Sequence, residues 1–207
     1  MMYYLLLGMT YAFAAAVQPG PFQSYLISQT LSKGWRRTLP ASFAPLLSDG
    51  PIIVVVVILL SRIPGWFINV LQCAGGVFLL YLAVDALKTW KNYNTEPVIH
   101  SSSSRQSVMQ AAVVNFLNPG PYLGWSLVMG PLLLKGWRET PVNGIALLAG
   151  FYISMIVSLM GIILLFAFAK TLGPRVTRAL IGVSTIALAC FGTYQLWVGL
   201  KYFWAYP

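Results

Sequence analysis

Gln18-Pro19-Gly20-Pro21 stands in an apolar run, Met1 to Leu31, that no charged residue interrupts. One hundred residues later the chain writes Asn118-Pro119-Gly120-Pro121, again in an apolar run, and Lys33-Gly34-Trp35-Arg36 recurs as Lys135-Gly136-Trp137-Arg138. Matched segments in the same order and at nearly equal spacing mark an internal repeat.

Proline has no N–H to bond four residues back. In a helical frame Pro19 and Pro21 therefore release the carbonyls of Ala15 and Val17, and Pro119 and Pro121 those of Asn115 and Leu117. In hydrocarbon an unsatisfied backbone group costs several kcal/mol, so a broken helix is tolerated where it is buried in protein or lines a wet cavity. Kinks that only help helices pack would explain one such motif. Duplication at matched positions favours a binding site.

The composition is that of a chain made for lipid: 58% of the 207 residues are hydrophobic and 8% charged, and the mean hydropathy is +0.75. A soluble domain carries about 25% charge. At about 20 residues per crossing, the apolar runs at roughly 3–31, 39–61, 65–87, 108–134, 142–169 and 177–200 predict an all-α polytopic membrane protein with six transmembrane helices. The expected organisation is a single membrane domain over 1–207. Residues 1–90 form a first three-helix repeat, 91–107 a cytoplasmic linker and 108–207 a second three-helix repeat. The linker carries Glu96-Pro97, the single histidine His100 and the run Ser101 to Ser104, a composition typical of flexible connections. Met1-Met2-Tyr3-Tyr4 has no basic residue, so the first span is expected to be retained rather than cleaved as a signal peptide.

Orientation follows from where lysine and arginine fall. Connections after spans one, three and five hold Lys33, Arg36, Arg37, Lys88, Lys91, Arg105, Lys170, Arg175 and Arg178, whereas the opposite side holds Arg62, Lys135, Arg138 and Lys201. The richer side is cytoplasmic, which places both termini outside the cytoplasm. Basic residues scattered over short loops on both faces argue against nucleic acid as the partner of the +9 charge. Three spans per half is an odd number, so the halves enter the membrane in opposite senses and the 3+3 repeat is inverted. Pro21 lies about 12 residues before Lys33 and Pro121 about 14 before Lys135, roughly 18–21 Å of helix measured from opposite faces, which puts both broken helices near the midplane. Inverted-repeat transporters place their sites there, with half-helix N-termini toward anionic groups and freed carbonyls toward cations.

Asp49 sits deep in the second span with no lysine, arginine or histidine in any span core to pair with it. An ionisable residue at that depth is a functional hypothesis by default: a proton carrier or a cation site. The structural alternative is a neutral carboxyl bonded to Ser48, Ser42 or a nearby carbonyl. Gly50-Pro51 follows, a further expected helix break that would free the Leu47 carbonyl. Asp85 has Lys88 one turn on, and an interfacial ion pair accounts for it. Gly76 to Ala83 aligns with Gly192 to Gly199, a weaker trace of repetition whose glycines also suit helix packing. Trp35, Trp66, Trp90, Trp137 and Trp204 lie at span ends, as interfacial anchors do. Cys73 and Cys190 are isolated, and only if they faced one another would a thiol–disulfide redox protein follow.

These residues resemble the lysine exporter (LysE) type translocators of bacterial inner membranes: Pro19-Gly20-Pro21 and the Lys33-Gly34-Trp35-Arg36 that follows it, Asp49, Gly76 through Leu82, and Asn115 through Pro119. The resemblance implies a six-helix secondary exporter of amino acids or similar small solutes, proton-coupled, in the cell's inner membrane, and no enzyme. Amino-acid exporters of this kind usually follow the first motif with asparagine and write Asn-Pro-Lys in the second half. Here Phe22 and Gly120 stand at those places, so a cation that would meet a substrate carboxylate is missing. The wider superfamily also resembles divalent metal cation transporters, which keeps a cation site open. A non-transporting membrane subunit is a further reading. The candidate substrate or ion residues are Gln18, Pro19, Gly20, Pro21, Asp49, Gly50, Pro51, Asn115, Asn118, Pro119, Gly120 and Pro121. Expected partners are a small-molecule substrate (an amino acid or a cation) and the lipid bilayer, with a homo-oligomer possible and no cofactor.

Overall fold

Proline sets where several of the helices begin. With φ fixed and no N–H to satisfy, it suits the first helical position, and Pro21, Pro119, Pro141 and Pro174 each open a helix. The computed structural model describes residues 1–58, 65–92 and 104–205, and every regular element among them is helical. In order these are α1 (Met2–Val17), α2 (Pro21–Lys33), α3 (Trp35–Thr38), a 3-10 turn (Leu39–Phe43), α4 (Ala44–Ile58), α5 (Gly65–Lys91), α6 (Ser104–Leu117), α7 (Pro119–Gly124), a π-helical turn (Trp125–Met129), α8 (Gly130–Glu139), α9 (Pro141–Lys170) and α10 (Pro174–Ala205).

Four helical runs are long and apolar enough to cross a bilayer: Trp35–Val56, Asn69–Lys91, Pro141–Lys170 and Pro174–Lys201. The remaining expected spans are the ones that carry the motifs, and each is divided. α1 and α2 have 16 and 13 residues and meet at Gln18-Pro19-Gly20; the 14 residues of α6 end at Leu117, before Asn118 starts α7.

Several expectations need correction. α4 runs unbroken through Pro51, because one proline removes one bond and leaves the turns on either side intact. α6 already begins at Ser104, so Ser104 to Ser107 belong to a helix and not to the linker. The linker from 93 to 103, with Glu96, Pro97 and His100, lies outside the described residues. The repeated Lys-Gly-Trp-Arg takes different forms in the two halves. Gly34 has φ +88, a value glycine adopts at no steric cost, and the chain turns there. Gly136 is buried inside α8 beneath the Tyr4 ring, and the break comes later, at the extended Thr140.

Close helix contacts rest on glycine, as they do where lipid removes the hydrophobic drive for association. On α1 a Cβ at Gly8 would collide with the Leu147 carbonyl of α9, and one at Gly150 with the Leu5 carbonyl of α1. α5 meets α10 at Gly76 and Gly192: a Cβ at Gly76 would lie 2.8 Å from the Gly192 carbonyl oxygen, and one at Gly192 3.1 Å from the Gly76 oxygen. Buried residues form two apolar clusters. One joins Tyr25 and Leu26 of α2 to Leu82 of α5, Ala111 of α6 and Leu188 of α10. The other joins Tyr4 and Ala12 of α1 to Ile52 of α4, Tyr122 of α7, Trp125 and Leu147.

Candidate functional site

The helix break at Gln18 is a change of backbone geometry, not a kink. Gln18 leaves α1 with ψ 124, Gly20 is fully extended at φ −165 and ψ −179, and Pro21 restarts the helix. Of the two carbonyls expected to be released, that of Ala15 is answered by a side chain: Gln23 Nε2 donates to it at 3.2 Å, and its second bond goes at 3.0 Å to the Ala16 oxygen rather than to that of Val17. At the second break Asn118 is extended, its backbone N–H donates to the Asn115 carbonyl at 3.2 Å, and its Oδ1 caps α7 by accepting from Gly120 N–H at 3.1 Å. The Leu117 carbonyl, also expected to be free, faces Gly75 of α5.

Both breaks line one cavity of about 240 Å³. Gln18, Pro19, Gly20 and Pro21 border it from the first motif, Asn115, Asn118, Gly120 and Pro121 from the second, and Asp49 from α4. Pro119, Gly50 and Pro51 do not; Gly50 and Pro51 are exposed on the far face of α4.

Asp49 is 3% exposed and Asn115 7%. Asn115 Nδ2 donates to Asp49 Oδ1 at 3.0 Å and to Ser48 Oγ at 2.7 Å, which ties α6 to α4. The Trp125 indole faces Asp49 as a further donor beside the carboxylate. Trp125 opens the π-helical turn, and such turns re-aim side chains at functional sites. Ser48 therefore reaches Asp49 only through Asn115, and Ser42 bonds the Leu39 carbonyl at 2.7 Å instead. The polar cluster fixes the carboxylate while leaving it on the cavity wall.

Aromatic rings close the cavity on the α1 side of the break. Tyr11 stacks on Phe151 at 6.3 Å, and Trp125 meets Phe151 edge-on at 5.3 Å. On the α2 side Phe22 lines the cavity and, one turn on, the Tyr25 hydroxyl lies 3.2 Å from both the Ser107 carbonyl and Gln110 Oε1 of α6.

Gln23, Trp125, Tyr11, Phe151 and Phe191 escaped the sequence reading. Gln23 and Trp125 did carry a signal: a polar residue two places past a proline break, and a tryptophan in the middle of an apolar run rather than at its end. Asp85 and Lys88 form no ion pair; the Asp85 charge acts instead on Lys33 and Tyr25 of α2. Cys73 and Cys190 are both free. Cys73 packs where Gly199 sits on α10, and Cys190 is exposed about 13 Å farther along that helix, at 1.5 Å per residue, so no dithiol pair forms.

A family model for LysE type translocators matches residues 13–198. The chain belongs to the LysE type translocator family, whose members are membrane transporters of amino acids and similar small solutes. Comparison with curated proteins and with solved structures returned no match.

Proposed function

We propose that this chain is a proton-coupled secondary exporter of a small nitrogen-containing solute, working across the inner membrane from a midplane site between two inverted three-helix halves. The observation that carries the reading is the convergence of both duplicated motifs and Asp49 on one cavity. Family membership supplies the transport class. The crossing of α5 and α10 at Gly76 and Gly192, which occupy matched places in the two halves, fits a two-fold axis between them. The broken spans then supply the half-helices that such transporters use around a site of alternating access. Both termini face away from the cytoplasm in this reading.

Asp49 provides the coupling. A carboxylate in a low-dielectric cavity holds either a proton or a cationic group, because it has one charge to compensate. A proton entering from outside therefore displaces a positively charged solute, and the solute arriving from inside displaces the proton. Asn115 and Trp125 hold the carboxylate in place through both halves of the cycle. A divalent metal cation finds less here: among the described residues Asp49 is the one carboxylate on the cavity wall. Among the described residues no cluster of three or more His, Cys, Asp and Glu forms.

Asp49→Asn keeps size and hydrogen bonding and removes titration. In proteoliposomes screened over amino acids, amines and divalent cations, the variant should fold, lose pH-gradient-driven flux and retain solute counterflow. Gradient-driven flux equal to wild type would remove Asp49 from coupling.

A further inference from the structure

The cavity is rich in acceptors, and the side-chain amides of Gln23 and Asn115 beside it have both their donors engaged, while Gln18, Asn118 and Tyr11 border it with donors of their own. Both Nε2 hydrogens of Gln23 go to the carbonyls of Ala15 and Ala16, which can only accept. That fixes the amide and leaves its Oε1 as an acceptor beside Gly20. Both Nδ2 hydrogens of Asn115 go to Ser48 and Asp49, which leaves its Oδ1 as well. The Trp125 N–H faces Asp49. Asn118 Oδ1 accepts one bond from Gly120 and keeps a second lone pair. Among the described residues, Asp49 is the sole charged side chain on the cavity wall, with no lysine, arginine or histidine there. The rest of that wall is largely aromatic: Tyr11, Phe22, Trp125, Phe151 and Phe191.

From this set of groups we infer that the cavity selects an organic ammonium ion, an amine with an apolar or aromatic body and no need of a carboxylate. This narrows the transporter reading above and rests on it. A primary ammonium brings three N–H donors to a site that offers a carboxylate and amide oxygens. Its charge is attracted to the faces of the surrounding rings, and its body covers their apolar surface. A carboxylate on the same molecule would meet no opposite charge. A hard divalent ion asks for six or more oxygens, and aromatic walls provide none. The N-terminus of α2 offers backbone N–H groups at Phe22 and Gln23, and the amides of Gln18 and Asn118 and the Tyr11 hydroxyl can donate as well, so the zwitterion is the competitor that a test must separate.

The test is binding by calorimetry to the purified full-length protein in detergent, with phenethylamine, phenylalanine and hydrocinnamate, which share one body and differ in their charged groups, and with manganese chloride. Phenethylamine should bind at least tenfold more tightly than phenylalanine, hydrocinnamate should not bind, and Asp49→Asn should weaken the amine at least tenfold. Phenylalanine equal to or tighter than phenethylamine, binding of hydrocinnamate, displacement of the amine by manganese, or no binding by any of the probes overturns the inference. Should Asp49→Asn fail to fold, the wild-type ranking decides alone. Proteoliposome flux separates this inference from the reading beneath it. Proton-driven movement of amino acids without amine binding leaves the transporter and removes the ammonium site. Amine binding without any gradient-driven flux leaves the site and removes the transporter.

Discussion

Gln23 offers the sharpest test of how the first break is held. Its side-chain amide is the partner of the Ala15 and Ala16 carbonyls, at 3.2 and 3.0 Å. A buried acceptor stripped of its partner costs about 1–3 kcal/mol. Both bonds are only part-buried, so Gln23→Leu should cost about 2 kcal/mol for the two carbonyls together, near the low end of that range. At about 2–4 °C per kcal/mol for a chain of this length, Tm should fall by about 4–8 °C. Pro19→Ala returns an N–H whose helical partner is the Ala15 carbonyl, and alanine relaxes the constraint on φ. In that background Ala15 has an alternative donor, and Gln23→Leu should cost about 1 kcal/mol less than in the wild type. Thermal unfolding of wild type, both single variants and the double variant in one detergent measures the coupling. Effects that add to within about 0.5 kcal/mol would mean that Gln23 does not hold the break open.

Topology is checked by single cysteines at Ser103 and Asn143 in a Cys73→Ser/Cys190→Ser background. Ser103 should label from the cytoplasmic face and Asn143 from the opposite one, and labelling of both from outside would end the inverted-repeat reading. At the α5–α10 crossing, Gly76→Val puts a branched side chain 2.8 Å from the Gly192 carbonyl oxygen and should abolish folded yield, measured by size exclusion. Gly161→Ala is the control: nothing lies within 4 Å of the added methyl, and helix propensity favours alanine by about 1 kcal/mol, so yield should hold or rise.

Much of this fold was legible because hydrocarbon leaves few options. Apolar runs of crossing length must be helices, and proline inside them must be accommodated somewhere. How each proline is accommodated was less legible, because it depends on neighbours distant in sequence. Pro51 sits on an exposed face and α4 continues through it, whereas at Pro19 and Pro21 the helix breaks and Gln23 takes up the carbonyls of Ala15 and Ala16. Repetition misled once. The same tetrapeptide is a turn at Gly34 and helix at Gly136, where Tyr4 of α1 covers the second glycine. Asp49 was legible because a lone carboxyl in an apolar span has few benign explanations. Its partners were less so: Asn115 had been singled out for its place by the proline break rather than for contact with Asp49, and Trp125 reaches it through a π-helical turn that no local pattern announces.

The repeat also sorts the residues that border the cavity. At the hundred-residue offset of the proline motifs, Ala15 matches Asn115, Gln18 matches Asn118, Gly20 matches Gly120 and Pro21 matches Pro121, and all eight residues border the cavity. At the offset that aligns Lys33 with Lys135, Asp49 matches Phe151, and both of these border it too. Backbone-shaping positions are kept in both halves, which is what a common frame of two broken helices requires. Beyond the Gln18–Asn118 amide pair the polar groups are not duplicated: Asn115 stands opposite an alanine, and Asp49 opposite an aromatic ring. Two matched carboxylates in one small cavity would repel, and one of them would be held neutral. With one carboxylate the cavity keeps a polar pole on the α4–α6 side and an aromatic pole at Phe151 and Tyr11, the asymmetry on which the proposed ammonium site rests.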